Sequence, residues 1–336
     1  MICGYIKYVG KNYINIKIIK FYMFIIKKTC ISKIPINCTE YGKIRLSLSK
    51  DKQYISIDPC CYWNFCGGKP LSKIQFDEID KLDCFQKIID CYNSFVNPKI
   101  IFKACLVENE NINTYKLNNI IQNDEYKNYY CNYGKRPIEN IEVSIQTSCN
   151  LNCIMCREQI IINKEIDKLY FKILEQLKGH NLNCLQLTAQ GEPFLYKTET
   201  FNYLNSLNRN DFKNIICVSN LTLLNDNDID NLYRINNNIK IRITASIDAI
   251  TESTYKKIRK NNFFTKVMHN ACYLNELGLL TGINFVLQKE NLNELMQAYE
   301  YWHNIIKTNF NVIPICNSVD MINNDIYKNY LKISSI

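Results

Sequence analysis

Six short apolar runs, separated by segments with helix-spaced apolar residues, fill the second half of this 336-residue chain and predict an α/β fold. Two further observations set its layout. The length exceeds what one core usually serves, and GKRP, with Gly134 and Pro137, punctuates a boundary. Upstream of it, cysteines crowd a β-rich stretch. The predicted architecture is a partial (β/α)6 barrel over 134–336, preceded by a small α+β cysteine-rich domain over 1–133.

Composition narrows the class. Apolar residues make up 47% of the chain, enough for two cores. No run is long enough to span a membrane: the most apolar N-terminal stretch, 21–26, is hemmed in by Lys20, Lys27 and Lys28. No export signal is read either, so the cytoplasm is expected, and 17 cysteines there point to metal or structural roles rather than disulfides. The net charge of +9 is carried mostly by lysine. Arginine clusters beside aromatics are lacking, which argues against a nucleic-acid surface; a basic face better suits an acidic electron-donor protein.

In chain order, 2–34 alternates β-branched or aromatic runs with lysines and reads as strands with one exposed face. IRLSLS and KQYISID read as a hairpin turning at 50–52, and lead into DPCCYWNFCGGKP. Ile79, Leu82, Phe85, Ile88, Ile89 and Tyr92 recur at helix spacing and predict a helix over 76–95. The Asn-rich segment 109–132 reads as a surface connection.

Beyond the boundary the expected strands are 141–147, 184–188, 215–219, 241–247, 281–287 and 312–315, with a helix over 164–179 after the first. They are near-continuous apolar runs because helices cover one face and the barrel core the other. Catalytic groups should gather at the strands' C-terminal ends. There the sequence places CNLNCIMC, with Cys149, Cys153 and Cys156 within eight residues. Close cysteine pairs arise by chance in so cysteine-rich a chain, but three at this spacing on a strand's exit are far rarer. A closed zinc site takes four ligands, whereas an iron–sulfur cube held by three cysteines leaves one iron open to a further ligand. Gln190, Gly191, Glu192 and Pro193 follow the second strand, Ser219 and Asn220 end the third, Ser246 and Asp248 end the fourth, and Arg259 follows in TYKKIRKNN.

These motifs, in this order, resemble the radical S-adenosylmethionine (SAM) enzymes over about 141–327. The resemblance implies a TIM-type partial barrel with a [4Fe-4S] cluster at its mouth, held by Cys149, Cys153 and Cys156, and SAM chelating the fourth iron. It implies reductive cleavage of SAM to a 5′-deoxyadenosyl radical that abstracts hydrogen from a substrate, with a reduced flavodoxin- or ferredoxin-type electron donor. It implies that Met155 packs on the adenine and that Glu192, in the Gln190–Gly191–Glu192–Pro193 motif, accepts from the SAM ammonium. Ser219 and Asn220 would reach the ribose, while Ser246 and Arg259, near Asp248, hold the SAM carboxylate. Gln190, Leu221 and Ala249 stand where the family has glycine. Asn284, Gln288 and Asn291 are further candidates for adenine or substrate contacts, and His180, His269 and His303 form no metal pattern.

ISIDPCC resembles the SPASM or twitch modules that accompany peptide-modifying members, although those follow the barrel. That implies a second, auxiliary cluster with Cys38, Cys60, Cys61 and Cys66 as the nearest ligands and Cys84, Cys91, Cys105 and Cys131 in reserve. Inert cysteines in a small β domain are the alternative. A peptide or protein side chain is the expected substrate, with RNA, a sugar nucleotide or a small metabolite as the second reading and a cluster-binding protein without turnover as the third.

Overall fold

A computed structural model describes residues 43–49, 53–58, 72–94, 138–146, 148–156, 164–187 and 191–314. They fall in two compact units, the first ending at Ile141 and the second starting at Glu142.

In the first unit β1 (Lys43–Leu48) and β2 (Tyr54–Asp58) pair antiparallel, Arg45 opposite Asp58 and Leu48 opposite Ile55, which is the expected hairpin. β3 (Ser72–Gln75) lines the other edge of β2, an additional strand. Ile44, Leu46, Ile55, Ile57 and Ile74 are fully buried and supply the core of this sheet. The helix expected over 76–95 is interrupted: one 3-10 turn, Phe76–Glu78, precedes α1 (Cys84–Ser94). The Asp83 carboxylate accepts from the Gln86 N–H at 2.9 Å, so the helix starts afresh after Asp83 although the apolar spacing runs on through it. The strands expected over 2–34 and the connection over 109–132 lie outside the described residues.

The second unit runs β4 (Asn140–Ser144), α2 (Lys164–Gln176), β5 (Leu182–Leu187), α3 (Lys197–Ser206), β6 (Phe212–Ser219), α4 (Asp226–Asn236), β7 (Lys240–Ser246), α5 (Glu252–Arg259), α6 (Phe264–Glu276), β8 (Leu280–Leu287), α7 (Leu295–Tyr299) with a π-helical turn at Glu300–Ile305, and β9 (Asn309–Pro314). Its strands lie in sequence order from β4 to β9, and β5 through β9 pair parallel. Sequential parallel strands joined by helices make a mixed α/β fold of the partial-barrel kind, and each expected strand is present with small shifts at its ends. Ile215, Cys217, Ile241, Ile243, Ala245, Ile283 and Phe285 are buried on β6, β7 and β8. Helices close over the sheet with apolar stripes such as Ile229, Leu232 and Ile235 on α4.

Helix α4 begins with a reciprocal cap: Asn225 Oδ1 accepts from Asp228 N at 3.0 Å, and Asp228 Oδ2 accepts from Asn225 N at 2.9 Å. Asn225→Ala should therefore lower stability by about 1 kcal/mol, read as a shift of the denaturant midpoint at unchanged slope. Among the described residues no helix is long and apolar enough to cross a membrane.

Candidate metal and cofactor site

The residues singled out above gather at the C-terminal ends of β4, β5, β6 and β7. The loop after β4 is held from two sides. Ser148, fully buried, donates to Asp167 Oδ2 at 2.8 Å, and Tyr196 donates to the same oxygen at 2.6 Å. Across from it, Gly191 N donates to Gln146 O at 3.1 Å and Glu192 N to Ser148 O at 2.9 Å, while Gln146 Nε2 donates to Glu192 O at 3.2 Å. The two loops meet so closely that a Cβ on Gly191 would lie 1.9 Å from Ser148 O. Glycine at this place is required by that contact.

The three cysteines follow on this fixed base. Cys153 is buried, Cys149 half-buried and Cys156 exposed, and none of the three is in a disulfide. Cys149 Sγ accepts from Leu151 N at 3.4 Å and from Asn220 Nδ2 at 3.8 Å, and Cys153 Sγ accepts from Arg259 Nη1 at 3.7 Å. Burial pushes the Cys149 thiol up to about 11, the Leu151 N–H draws it down, and Glu192, Cys153 and Cys156 add to the rise. Burial also raises Cys153, opposed by Arg259.

Glu192 is 1% exposed, and burial pushes its carboxyl up to about 7 against the pull of its hydrogen bonds. Oε1 accepts from Ser219 Oγ at 2.7 Å and Phe194 N at 3.2 Å, whereas Oε2 accepts from Asn220 N at 2.8 Å and keeps room for one more donor. Asn220 therefore joins the acid to the cysteine loop, bonding Glu192 through its backbone and Cys149 through its side chain. Its Oδ1 is fixed by Thr222 N at 2.9 Å and Thr222 Oγ1 at 2.6 Å. Leu221, in the family's glycine position, adopts φ 62°, the left-handed conformation that glycine favours. It is held there by its N–H on Ser219 Oγ at 3.0 Å and by Asn270 Nδ2 on its carbonyl at 2.9 Å.

At the end of β7, Arg259 Nη2 donates to Ser246 O at 2.8 Å and forms an ion pair with Asp248 Oδ2 at 2.6 Å. Burial works against the charge on Arg259, but Asp248 and the Cys153 thiol outweigh it and hold the guanidinium protonated. Burial raises Asp248, with Arg259 opposing. Asp248 Oδ1 accepts from Val286 N at 2.7 Å.

Other expectations fare differently. Met155 sits half-buried in the cysteine loop, and Pro193 contributes its carbonyl to Thr200 Oγ1 at 2.7 Å. Asn291 is spent inside the protein, bonding Asp248 O, Val286 O and Gln288 N, and Asn284 Oδ1 accepts from Asn311 at 3.3 Å. The buried Gln288 Nε2 finds no partner. His269 pairs with Asp226 at the surface and His303 stacks on Tyr299. Gln190, Cys38, Cys60, Cys61, Cys66, Cys105 and Cys131 lie outside the described residues; Cys84 and Cys91 sit on α1. Reading the sequence did not single out Ser148, Asp167, Thr222 or Asn270. Only Asp167 had a local signal, as an acid in a helix's first turn.

Residues 143–301 match the family described as the Radical SAM superfamily. Over this stretch the chain carries a radical SAM domain. Among curated relatives, a protein named probable GTP 3′,8-cyclase from Saccharolobus islandicus is 26% identical over 177 residues, 51% of this chain and 54% of that protein. The GTP 3′,8-cyclase of Clostridium botulinum is 28% identical over 161 residues, 46% of this chain and 49% of that one. The chain spans about half the length of the curated relatives it matches. Among solved structures, Streptococcus suis SuiB bound to S-adenosylmethionine is 15% identical with a TM-score of 0.45, covering 86% of this chain and 69% of that one.

Radical SAM proteins carry a [4Fe-4S] cluster and SAM, and the residues present fit both. Among the described residues no three Cys, His, Asp or Glu side chains converge closely enough to hold a single metal ion. A cube takes its thiolates at separate corners, and the three thiols of this loop, with N–H donors on two of the sulfurs, are a donor set of the kind that holds three of its irons. The free acceptor capacity of Glu192 Oε2 suits an N–H of the SAM amino group.

Proposed function

We propose that this chain is a radical SAM enzyme that abstracts hydrogen from a peptide or protein side chain. The observation that carries the proposal is Asn220, which ties the Cys149 sulfur and the buried Glu192 into one hydrogen-bonded unit. When bound, the cluster and SAM supply one-electron cleavage of a C–S bond to a 5′-deoxyadenosyl radical; the protein supplies position and exclusion of water. In this reading Cys149, Cys153 and Cys156 hold three irons as thiolates. Glu192 and Gly191, with Gln190 and Pro193, receive the SAM amino group, Ser219 and Asn220 line the ribose, Met155 meets the adenine, and Ser246, Asp248 and Arg259 bound the carboxylate side.

Residues 1–133 form an N-terminal module and 134–336 the catalytic barrel, a division supported by the compact units that meet at Ile141 and Glu142. The peptide preference rests on the likeness of ISIDPCC to auxiliary-cluster modules. The name GTP 3′,8-cyclase borne by the curated relatives favours a second reading, a nucleotide or other small metabolite. A cluster of this kind works in a reducing compartment with a flavodoxin- or ferredoxin-type donor, so the cytoplasm is the proposed location.

Anaerobic reconstitution with iron and sulfide, then dithionite and SAM, tests the proposal. About four irons per chain are expected for one cluster and about eight for two, together with 5′-deoxyadenosine. Replacing Cys149, Cys153 and Cys156 by alanine should remove about four irons and all deoxyadenosine. Deoxyadenosine from that variant, or tetrahedral zinc at those thiols in wild type, would end the proposal. Stimulation by GTP and not by peptides encoded beside the gene would move the substrate to the second reading.

A further inference from the structure

We propose that Arg259 is a positioning residue that acts through Cys153, fixing that thiolate and raising the reduction potential of the cluster it holds; this rests on the function proposed above. The guanidinium is 6% exposed and both its terminal nitrogens are engaged, Nη1 on Cys153 Sγ at 3.7 Å and Nη2 on Ser246 O at 2.8 Å and beside Asp248 Oδ2 at 2.6 Å. Only Nε is without a partner. A bidentate grip on a ligand carboxylate takes two parallel N–H groups on one edge. Arg259 would have to abandon the sulfur or the Asp248 pair to offer them.

Its surroundings hold it in place. Asp248 is fully buried and fixed by Val286 N on Oδ1 at 2.7 Å and Asn291 Nδ2 on its carbonyl at 2.8 Å. Helix α5 ends at Arg259 because Lys260 turns left-handed at φ 59°, and Asn261 Nδ2 closes on the Arg259 carbonyl at 2.9 Å. The cysteine loop is tied to that same turn through its backbone, Ile154 N donating to Ile258 O at 2.9 Å. The guanidinium is thus fixed against the sulfur from both sides.

The consequence is electrostatic. A cation and an N–H donor at a ligating sulfur favour the form of the cluster with the extra electron, and burial lengthens the reach of that charge. Asp248 lies on the far nitrogen, so the sulfur faces the cation first and the carboxylate tempers it.

The test is a redox titration of the anaerobically loaded 336-residue chain without SAM, followed by the electron paramagnetic signal of the reduced cluster. Arg259→Gln should shift the potential to more negative values, Arg259→Lys should return most of the wild-type value, and Asp248→Asn should shift it positive. Equal potentials in wild type and Arg259→Gln, or a shift in Arg259→Lys as large as in Arg259→Gln, would overturn the inference and leave Arg259 a ligand for SAM alone, visible as lost SAM affinity. Should Arg259→Gln fail to load iron, Asp248→Asn decides, since a potential that does not rise there refutes the charge argument. A wild-type protein that takes up no iron overturns the proposed function and this inference with it.

Discussion

Gly191→Ala is expected to be among the most damaging single substitutions in the barrel. The added Cβ would lie 1.9 Å from Ser148 O, 2.6 Å from its carbonyl carbon and 2.8 Å from its nitrogen, all backbone atoms that cannot rotate aside. Relief requires the loop after β5 to part from the loop after β4. That breaks the Gly191 N bond to Gln146 O and the Glu192 N bond to Ser148 O, in which Gln146, Ser148 and Glu192 are buried. Overpacking alone costs about 1–3 kcal/mol, and two lost buried bonds about 1 kcal/mol each, so a loss near 4 kcal/mol is expected. Chemical denaturation of the apo-protein measures it. Because Ser148 directly precedes Cys149, iron content after reconstitution should fall in the same variant even where it folds. A variant that loads iron like wild type with a midpoint shifted by less than about 1 kcal/mol would show that the two loops do not meet this way.

The part of this site that was legible in the sequence is the part set by short-range geometry. Cys149, Cys153 and Cys156 are within a loop's span, and their spacing alone limits what they can ligate. Strand positions were legible because several buried apolar residues recur within each short strand, as in FKNIICVS and LTGINFVL; β3 was not, because in SKIQ only Ile74 is buried. The break between Phe76–Glu78 and α1 was obscured by apolar spacing that continues through it, where a single capping acid decides the outcome. What could not be read is pairing across the barrel mouth. Asn220 and Cys149 are 71 residues apart and Arg259 and Cys153 are 106 apart, and no local pattern encodes either contact. Leu221 shows the reverse case: it stands where the family has glycine, yet it takes the glycine-like φ, supported by Asn270 from α6. A left-handed leucine costs about 1 kcal/mol, offset here by bonds that only the folded unit provides.

Glu192 should make the stability of the apo-protein fall as pH rises from about 4.5 to about 7. Its carboxyl has an ordinary value of 4.5 and burial lifts it to about 7 in the folded protein, against the bonds from Asn220, Ser219 and Phe194. Between those values the folded state binds more proton than the unfolded one, so raising pH favours unfolding; below 4.5 both hold the proton and above 7 both have lost it. The full cost is about 3 kcal/mol. Glu192→Gln removes this contribution while keeping a carbonyl oxygen for Asn220 N and an amide to donate to Ser219 Oγ. The difference in unfolding free energy between variant and wild type should therefore grow in the variant's favour across that window and level off above it. A bound donor changes the sign of the demand. An N–H of the SAM amino group at Oε2 calls for the ionised acid, so SAM affinity of the loaded protein should rise with pH up to about 7 and then stay flat, whereas Glu192→Gln should bind more weakly and without that slope. Parallel pH profiles for wild type and Glu192→Gln, in both denaturation and SAM titration, would remove Glu192 from the amino group and leave it as the acid that holds the loop after β6 to the cysteine loop.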